Sequence, residues 1–100
     1  MRAVFIESHG GPEVVRIGEL PDPEPGPGQV RVRVVAAALN HLDLWVRAGI
    51  PGIDQTFPHV LGADGAGVVD AVGPEVNDVT PGDEVYIQPG LFCGRCEFCL

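Results

Sequence analysis

Short runs of β-branched and other apolar residues alternate with glycine and proline along the chain, and long runs at helical spacing are missing, so strands and turns are expected to dominate. The pattern predicts strands over residues 2–7, 14–20, 30–37, 67–72 and 84–88. In Val30-Arg31-Val32-Arg33-Val34 apolar and basic residues alternate, which places one face inward and the other in water. A turn around Gly10-Gly11-Pro12 is expected to join the first two strands as a hairpin. Between the second and third strands lies Pro21-Asp22-Pro23-Glu24-Pro25-Gly26-Pro27-Gly28, whose prolines lack the N–H that a central strand must donate, so this segment reads as a stiff loop. One short helix is predicted: Asn40 caps it with Asp43 at the third position, Leu42, Trp45 and Val46 form an apolar stripe, and Gly49 followed by Pro51 ends it. Thr80-Pro81-Gly82-Asp83 has proline and glycine where a type II turn requires them. The fold class expected is mainly β with one short helix.

Composition narrows the possibilities. A chain of 100 residues holds at most one domain and can bury a core without obligatory disulfides. With 45% hydrophobic and 20% charged residues, it has a globular balance. A formal net charge of -8, with only six lysines and arginines, excludes the basic patch that non-specific nucleic-acid binding needs. The amino terminus lacks a signal pattern, and no apolar run approaches the roughly 18 residues of a membrane span, so a cytoplasmic protein without a membrane partner is expected.

The three cysteines are packed into Cys93-Gly94-Arg95-Cys96-Glu97-Phe98-Cys99. Secreted disulfide frameworks usually have an even number of cysteines spread along the chain, so metal or redox chemistry is the better reading here. Thiolates at this interval converge on a tetrahedral zinc when Gly94 lets the backbone curl between them. A redox pair and inert surface thiols are the competing readings, and a third cysteine at the same interval weakens both. Closed zinc sites use four protein ligands, and the fourth is missing from the sequence.

Taken together these motifs resemble the amino-terminal part of the medium-chain, zinc-containing alcohol dehydrogenase and quinone reductase family. Gly62-Ala63-Asp64-Gly65-Ala66-Gly67, with Gly73 and Val76, fits the spacing of that family's GHExxG signature, and Pro81-Gly82-Asp83-Glu84-Val85 fits its PGDxV turn and strand. The cysteine cluster matches its structural-zinc lobe, which would begin near residue 90. The resemblance covers essentially the whole chain. It implies a GroES-like, partly open β-barrel catalytic domain, of which residues 1–100 form the amino-terminal part. It also implies structural zinc on Cys93, Cys96 and Cys99, and NAD(P)H held by a Rossmann domain absent from this chain. No GxGxxG is present here, because Asp70 stands where the third glycine would follow Gly65 and Gly67.

The departures from the pattern bear on mechanism. Family alcohol dehydrogenases bind catalytic zinc through a cysteine before the short helix and the histidine of the GHE motif; Asn40 and Ala63 stand at those positions, and Asp64 replaces the glutamate. Leu42 replaces the hydroxyl residue that relays the alcohol proton. What remains resembles quinone-reductase-like members without catalytic metal. The expected activity is nicotinamide-dependent hydride transfer involving a small-molecule carbonyl, quinone or enone. Asn40 is the candidate for contacting the acceptor oxygen or cofactor, with a simple helix cap as its alternative. Asp64 is a candidate for organising the site, or a turn residue. His41 is a candidate contact for cofactor phosphate or a proton shuttle, with an ordinary exposed histidine as the favoured alternative; Asp43 is a cap partner, and His9 and His59 have no assigned role. Family members are commonly dimers or tetramers, which implies a homo-oligomer. Two other readings stay open: a zinc-dependent alcohol dehydrogenase with atypical ligands, and a non-catalytic GroES-like zinc-binding or interaction module.

Overall fold

The structure is a computed structural model in which residues 1–90 and 96–97 are described. It contains β1 (Arg2–Ile6), β2 (Val15–Glu19), β3 (Val30–Ala38), α1 (His41–Ala48), β4 (His59–Val60), β5 (Asp64–Val72) and β6 (Glu84–Tyr86). These strands form two open three-stranded sheets, β2-β1-β4 and β3-β5-β6, as the mainly β, GroES-like expectation requires.

The predicted hairpin is present: β1 and β2 pair antiparallel from Arg2↔Glu19 to Ile6↔Val15, and a short 3-10 turn at Pro12–Val14 lies in the connection. β4, which the sequence pattern does not reveal, adds to the other edge of β1 through Phe5↔Val60 and Ile6↔His59. The second sheet is built on the long β3–β5 ladder, Val30↔Val72 to Ala38↔Asp64, with irregularities between Arg31 and Val32 and between Val34 and Ala36. β5 therefore begins at Asp64, earlier than residue 67, because β3 continues to pair with it through a glycine- and alanine-rich stretch of low intrinsic strand preference. β6 ends at Tyr86, although the Ile87 N–H still donates to the Gly65 carbonyl at 2.8 Å.

Close backbone contacts explain two signature glycines. A side chain at Gly67 would collide with the carbonyl oxygen of Arg33 and lie 3.0 Å from Val34 Cα. One at Gly73 would collide with the Gly26 carbonyl oxygen and lie 3.0 Å from that of Pro25. The proline loop thus lies against the end of β5, where Gly73 N–H donates to Gln29 and Gly28 N–H to Pro74, both at 2.8 Å. Arg31 fastens the same loop, with Nε donating to Asp70 at 2.8 Å and a guanidinium nitrogen reaching Glu24 at 3.6 Å and the Pro23 carbonyl at 3.3 Å. The Asp70 hydrogen bond, followed by its charge, holds the guanidinium pKa above its ordinary value.

Among the described residues the buried apolar side chains are Phe5, Ile6 and Val69. The alternation in residues 30–34 does not produce a covered inner face: Val34 is 55% exposed, while Arg31 is half-buried in its ionic network. The helical stripe is likewise open, with Leu42 and Trp45 exposed. The expected inward face of β3 is therefore not found among the described residues, where no second layer covers it and register irregularities interrupt the alternation.

The turn at residues 80–83 forms as expected: Asp83 N–H donates to the Thr80 carbonyl at 3.1 Å and Gly82 has φ 100°.

Candidate active site

The antiparallel ladder brings the end of β3 beside the start of β5, and α1 begins immediately after β3. The pairing Ala38↔Asp64 therefore sets the helix amino terminus next to the signature segment. There Asn40 Nδ2 donates to Asp64 Oδ2 at 2.6 Å, a short hydrogen bond to a carboxylate. Asp64 is half-buried as the first residue of β5, so it is a strand residue and not the turn residue of the alternative reading.

Asn40 also takes its expected place as the helix N-cap, in extended conformation. Its backbone N–H donates to Asp43 Oδ2 at 3.0 Å, and the Asp43 N–H donates to the Asn40 carbonyl at the same distance. Asp43 is the buried polar residue of the helix and serves as a cap partner. His41 is exposed, with its ring set edge-on to Trp45 at a centroid separation of 4.8 Å. Leu42 is exposed and offers no proton.

Asp64 lies on the rim of an open groove of about 350 Å³ along the β3–β5–β6 face, lined by Ala37, Ala38, Gly65, Tyr86 and Ile87 among others. Its walls are mostly apolar, with Asp64 and Tyr86 as the residues bearing polar side-chain groups, a combination suited to a weakly polar molecule.

Around the Asn40–Asp64 contact this chain offers an amide engaged with Asp64, the methyl of Ala63 and a single carboxylate. That donor set does not fit a zinc held by thiolate and imidazole. Among the described residues no three His, Cys, Asp or Glu side chains gather as metal ligands. Cys93 and Cys99 lie outside the described residues; Cys96 is exposed.

No local pattern singles out His9, yet it braces the far end of the helix. Its Nδ1 lies 3.1 Å from the Val46 carbonyl, its ring meets Phe57 edge-on at 5.2 Å, and Gly10 exchanges hydrogen bonds with Arg47. These contacts join residues far apart in sequence and leave no local signal. His59 pairs with Ile6 on β4, away from the Asn40–Asp64 contact in the strand order.

Comparison with known proteins matches residues 26–100 to the family model described as the alcohol dehydrogenase GroES-like domain. A quinone oxidoreductase from Sus scrofa is 34% identical over 101 residues, covering 100% of this chain and 31% of that protein. A class-3 alcohol dehydrogenase from Myxine glutinosa is 42% identical over 67 residues, covering 67% of this chain and 18% of that protein. Among solved structures, an NAD-dependent alcohol dehydrogenase shares 65% identity with a TM-score of 0.89, over 99% of this chain and 29% of that one. A thermostable alcohol dehydrogenase from Pyrobaculum aerophilum shares 40% identity with a TM-score of 0.88, over 99% of this chain and 29% of that one. The chain thus spans about a third or less of the length of these relatives. No helix among the described residues is long and apolar enough to cross a membrane.

Proposed function

Since this chain belongs to the alcohol dehydrogenase GroES-like domain family, we propose that it is the substrate-side part of a nicotinamide-dependent oxidoreductase that reduces a carbonyl, quinone or enone without a catalytic zinc. The observation that supports this reading is the Asn40–Asp64 hydrogen bond: Asn40 stands where the family resemblance puts a cysteine ligand, Ala63 where it puts the histidine, and the Asn40 amide is engaged by Asp64.

A reduced nicotinamide, bound by a domain outside these residues, supplies the hydride. As hydride reaches the substrate, negative charge grows on the acceptor oxygen, and an N–H donor held there stabilises it. Asn40 provides that donor through its Nδ2 group. The oxygen takes its proton from water, since the amide of Asn40 and the side chain of Leu42 have none to give. His41, exposed at the first position of α1, is assigned to contact cofactor phosphate. The mostly apolar groove holds the substrate body, and its lining favours a weakly polar acceptor. Cys93, Cys96 and Cys99, with a fourth ligand outside this sequence, hold a structural zinc whose donor chemistry suits three thiolates at this spacing. The intact protein is proposed to add a Rossmann domain and to form a homo-oligomer.

Zinc per chain in the full-length protein tests the metal assignment, with Cys96→Ser measured in parallel. One zinc, lost in the variant, is expected, together with reduction of a quinone or enone that survives chelation. A second reading, zinc-dependent alcohol oxidation with atypical ligands, is favoured by the 65% identity to a protein described as an NAD-dependent alcohol dehydrogenase. Two zinc ions per chain, one of them surviving Cys96→Ser, would establish that reading instead.

A further inference from the structure

Two carboxylates hold Asn40, and they hold different parts of it. Asp43 accepts the backbone N–H at 3.0 Å and thereby fixes where the residue sits at the head of α1. Asp64 accepts from Nδ2 at 2.6 Å and thereby fixes which way the amide faces. An asparagine amide has a donor end and an acceptor end of nearly the same shape, and only its partners decide which end points where. An ionised carboxylate accepts and cannot donate, so Asp64 tolerates only the Nδ2 end. The second Nδ2 hydrogen then remains for another acceptor.

From this geometry we infer that Asp64 is a positioning residue: it locks the Asn40 amide in the orientation that presents an N–H to the acceptor oxygen. The inference rests on the proposed reductase reading, in which Asn40 contacts that oxygen. Without Asp64 the Nδ2 end loses its carboxylate partner, and the amide can then turn its carbonyl oxygen toward a substrate oxygen that is gaining charge. Repulsion replaces stabilisation in that orientation. Asp64 is not itself the proton source, because its role ends at the amide it holds.

The test uses full-length protein saturated with reduced nicotinamide, and cyclohexenone and benzoquinone as probe acceptors. Asp64→Ala is expected to lower kcat by about tenfold to a hundredfold, the scale of a misplaced transition-state donor, with KM for the nicotinamide changed by no more than about twofold. Asp64→Asn keeps an acceptor oxygen for Nδ2 and is expected to retain kcat within about threefold, with the pH dependence of kcat unchanged. In an Asn40→Ala background, Asp64→Ala should have no further effect.

Full kcat in Asp64→Ala would overturn the inference. So would loss of both activity and the acidic limb of the pH profile in Asp64→Asn, which would make Asp64 the proton donor; this arm stands even if Asp64→Ala fails to fold. If Asn40→Ala alone leaves kcat intact, the reductase assignment of Asn40 fails. If Asn40→Ala is impaired and Asp64→Ala is not, only the positioning role fails.

Discussion

Replacing Gly67 with alanine puts a methyl group where β3 already runs. Its Cβ would meet the Arg33 carbonyl oxygen, and would stand 2.9 Å from the carbonyl carbon and 3.0 Å from Val34 Cα. Carbon atoms pack comfortably at about 3.5–4.0 Å, so β3 must retreat by roughly 1 Å. The atoms in the way belong to the backbone and cannot rotate aside. Overpacking of a core costs about 1–3 kcal/mol, and each ladder hydrogen bond weakened by the retreat adds about 1 kcal/mol. The expected loss is therefore about 3–5 kcal/mol, a large part of the roughly 5–15 kcal/mol that holds a typical domain together. Gly65→Ala in the same strand is the control: its Cβ would meet Ile87 Cδ1 at 3.4 Å and the Ala36 carbonyl at 3.5 Å, ordinary contacts, so the change is expected to stay within about 1 kcal/mol. Urea unfolding of the full-length protein measures both, and thermal melting should show Gly67→Ala lower by about 10 °C at the usual 2–4 °C per kcal/mol. Equal stability of the two variants would refute the argument from the β3–β5 approach.

Other consequences can be checked on the same protein. The Met1 amine lies 2.7 Å from Asp22 and 3.6 Å from Glu19, and its pKa is raised from 8.0, mainly by the hydrogen bond to Asp22. The pKa of Asp22 is lowered from 3.8, mainly by its hydrogen bond to the same amine. The amine's contribution to stability is thus fully present below pH 8.0 and is lost as pH rises through its raised pKa; that of Asp22 is present above pH 3.8 and is lost as pH falls through its lowered pKa. The melting-temperature difference between the protein and Asp22→Asn should accordingly be greatest between those limits and shrink outside them. Glu75 has φ 71°, a left-handed conformation that asparagine adopts more readily, so Glu75→Asn is expected to raise the urea midpoint by about 0.5–1 kcal/mol of stability. His9→Ala removes the contacts with Val46 and Phe57 and should cost about 1 kcal/mol, with faster hydrogen exchange in the last turn of α1.

Local chemistry made much of this fold legible in the sequence. The Asn40–Asp43 cap, the Pro81-Gly82 turn and the strand character of β3 each depend on neighbours within a few residues, and each forms where the pattern places it, although the inward face expected of β3 does not form. β4 is only His59–Val60, and it exists because β1 offers a free edge, which no local pattern records. The early start of β5 has the same cause, since Gly65-Ala66-Gly67 is extended by its partner β3 and not by its own preference. The site divides similarly. Asn40 and Asp64 could be singled out by resemblance, but their hydrogen bond spans 24 positions of sequence and becomes visible only when Ala38 pairs with Asp64.

The signature segment thereby separates into two kinds of residue. Gly67 is buried between backbones, and Gly73 lies against the proline loop; in neither place can a side chain enter without moving main chain. Ala63 and Asp64 are half-buried at the strand's opening, where Asp64 lines the groove. Close backbone contacts therefore constrain Gly67 and Gly73, and the φ of 108° constrains Gly62, while Ala63 and Asp64 are left to chemistry. On the proposed reading, positions 40 and 63 can carry an amide and a methyl in place of metal ligands while the sheet stays the same. On that account, Ala63→His together with Asn40→Cys should leave the unfolding midpoint near that of the parent, and the double variant should bind more zinc in the full-length protein. A collapse in stability on making these two changes would show that the opening of β5 is constrained by packing as well, and that the loss of the metal ligands was not separable from the fold.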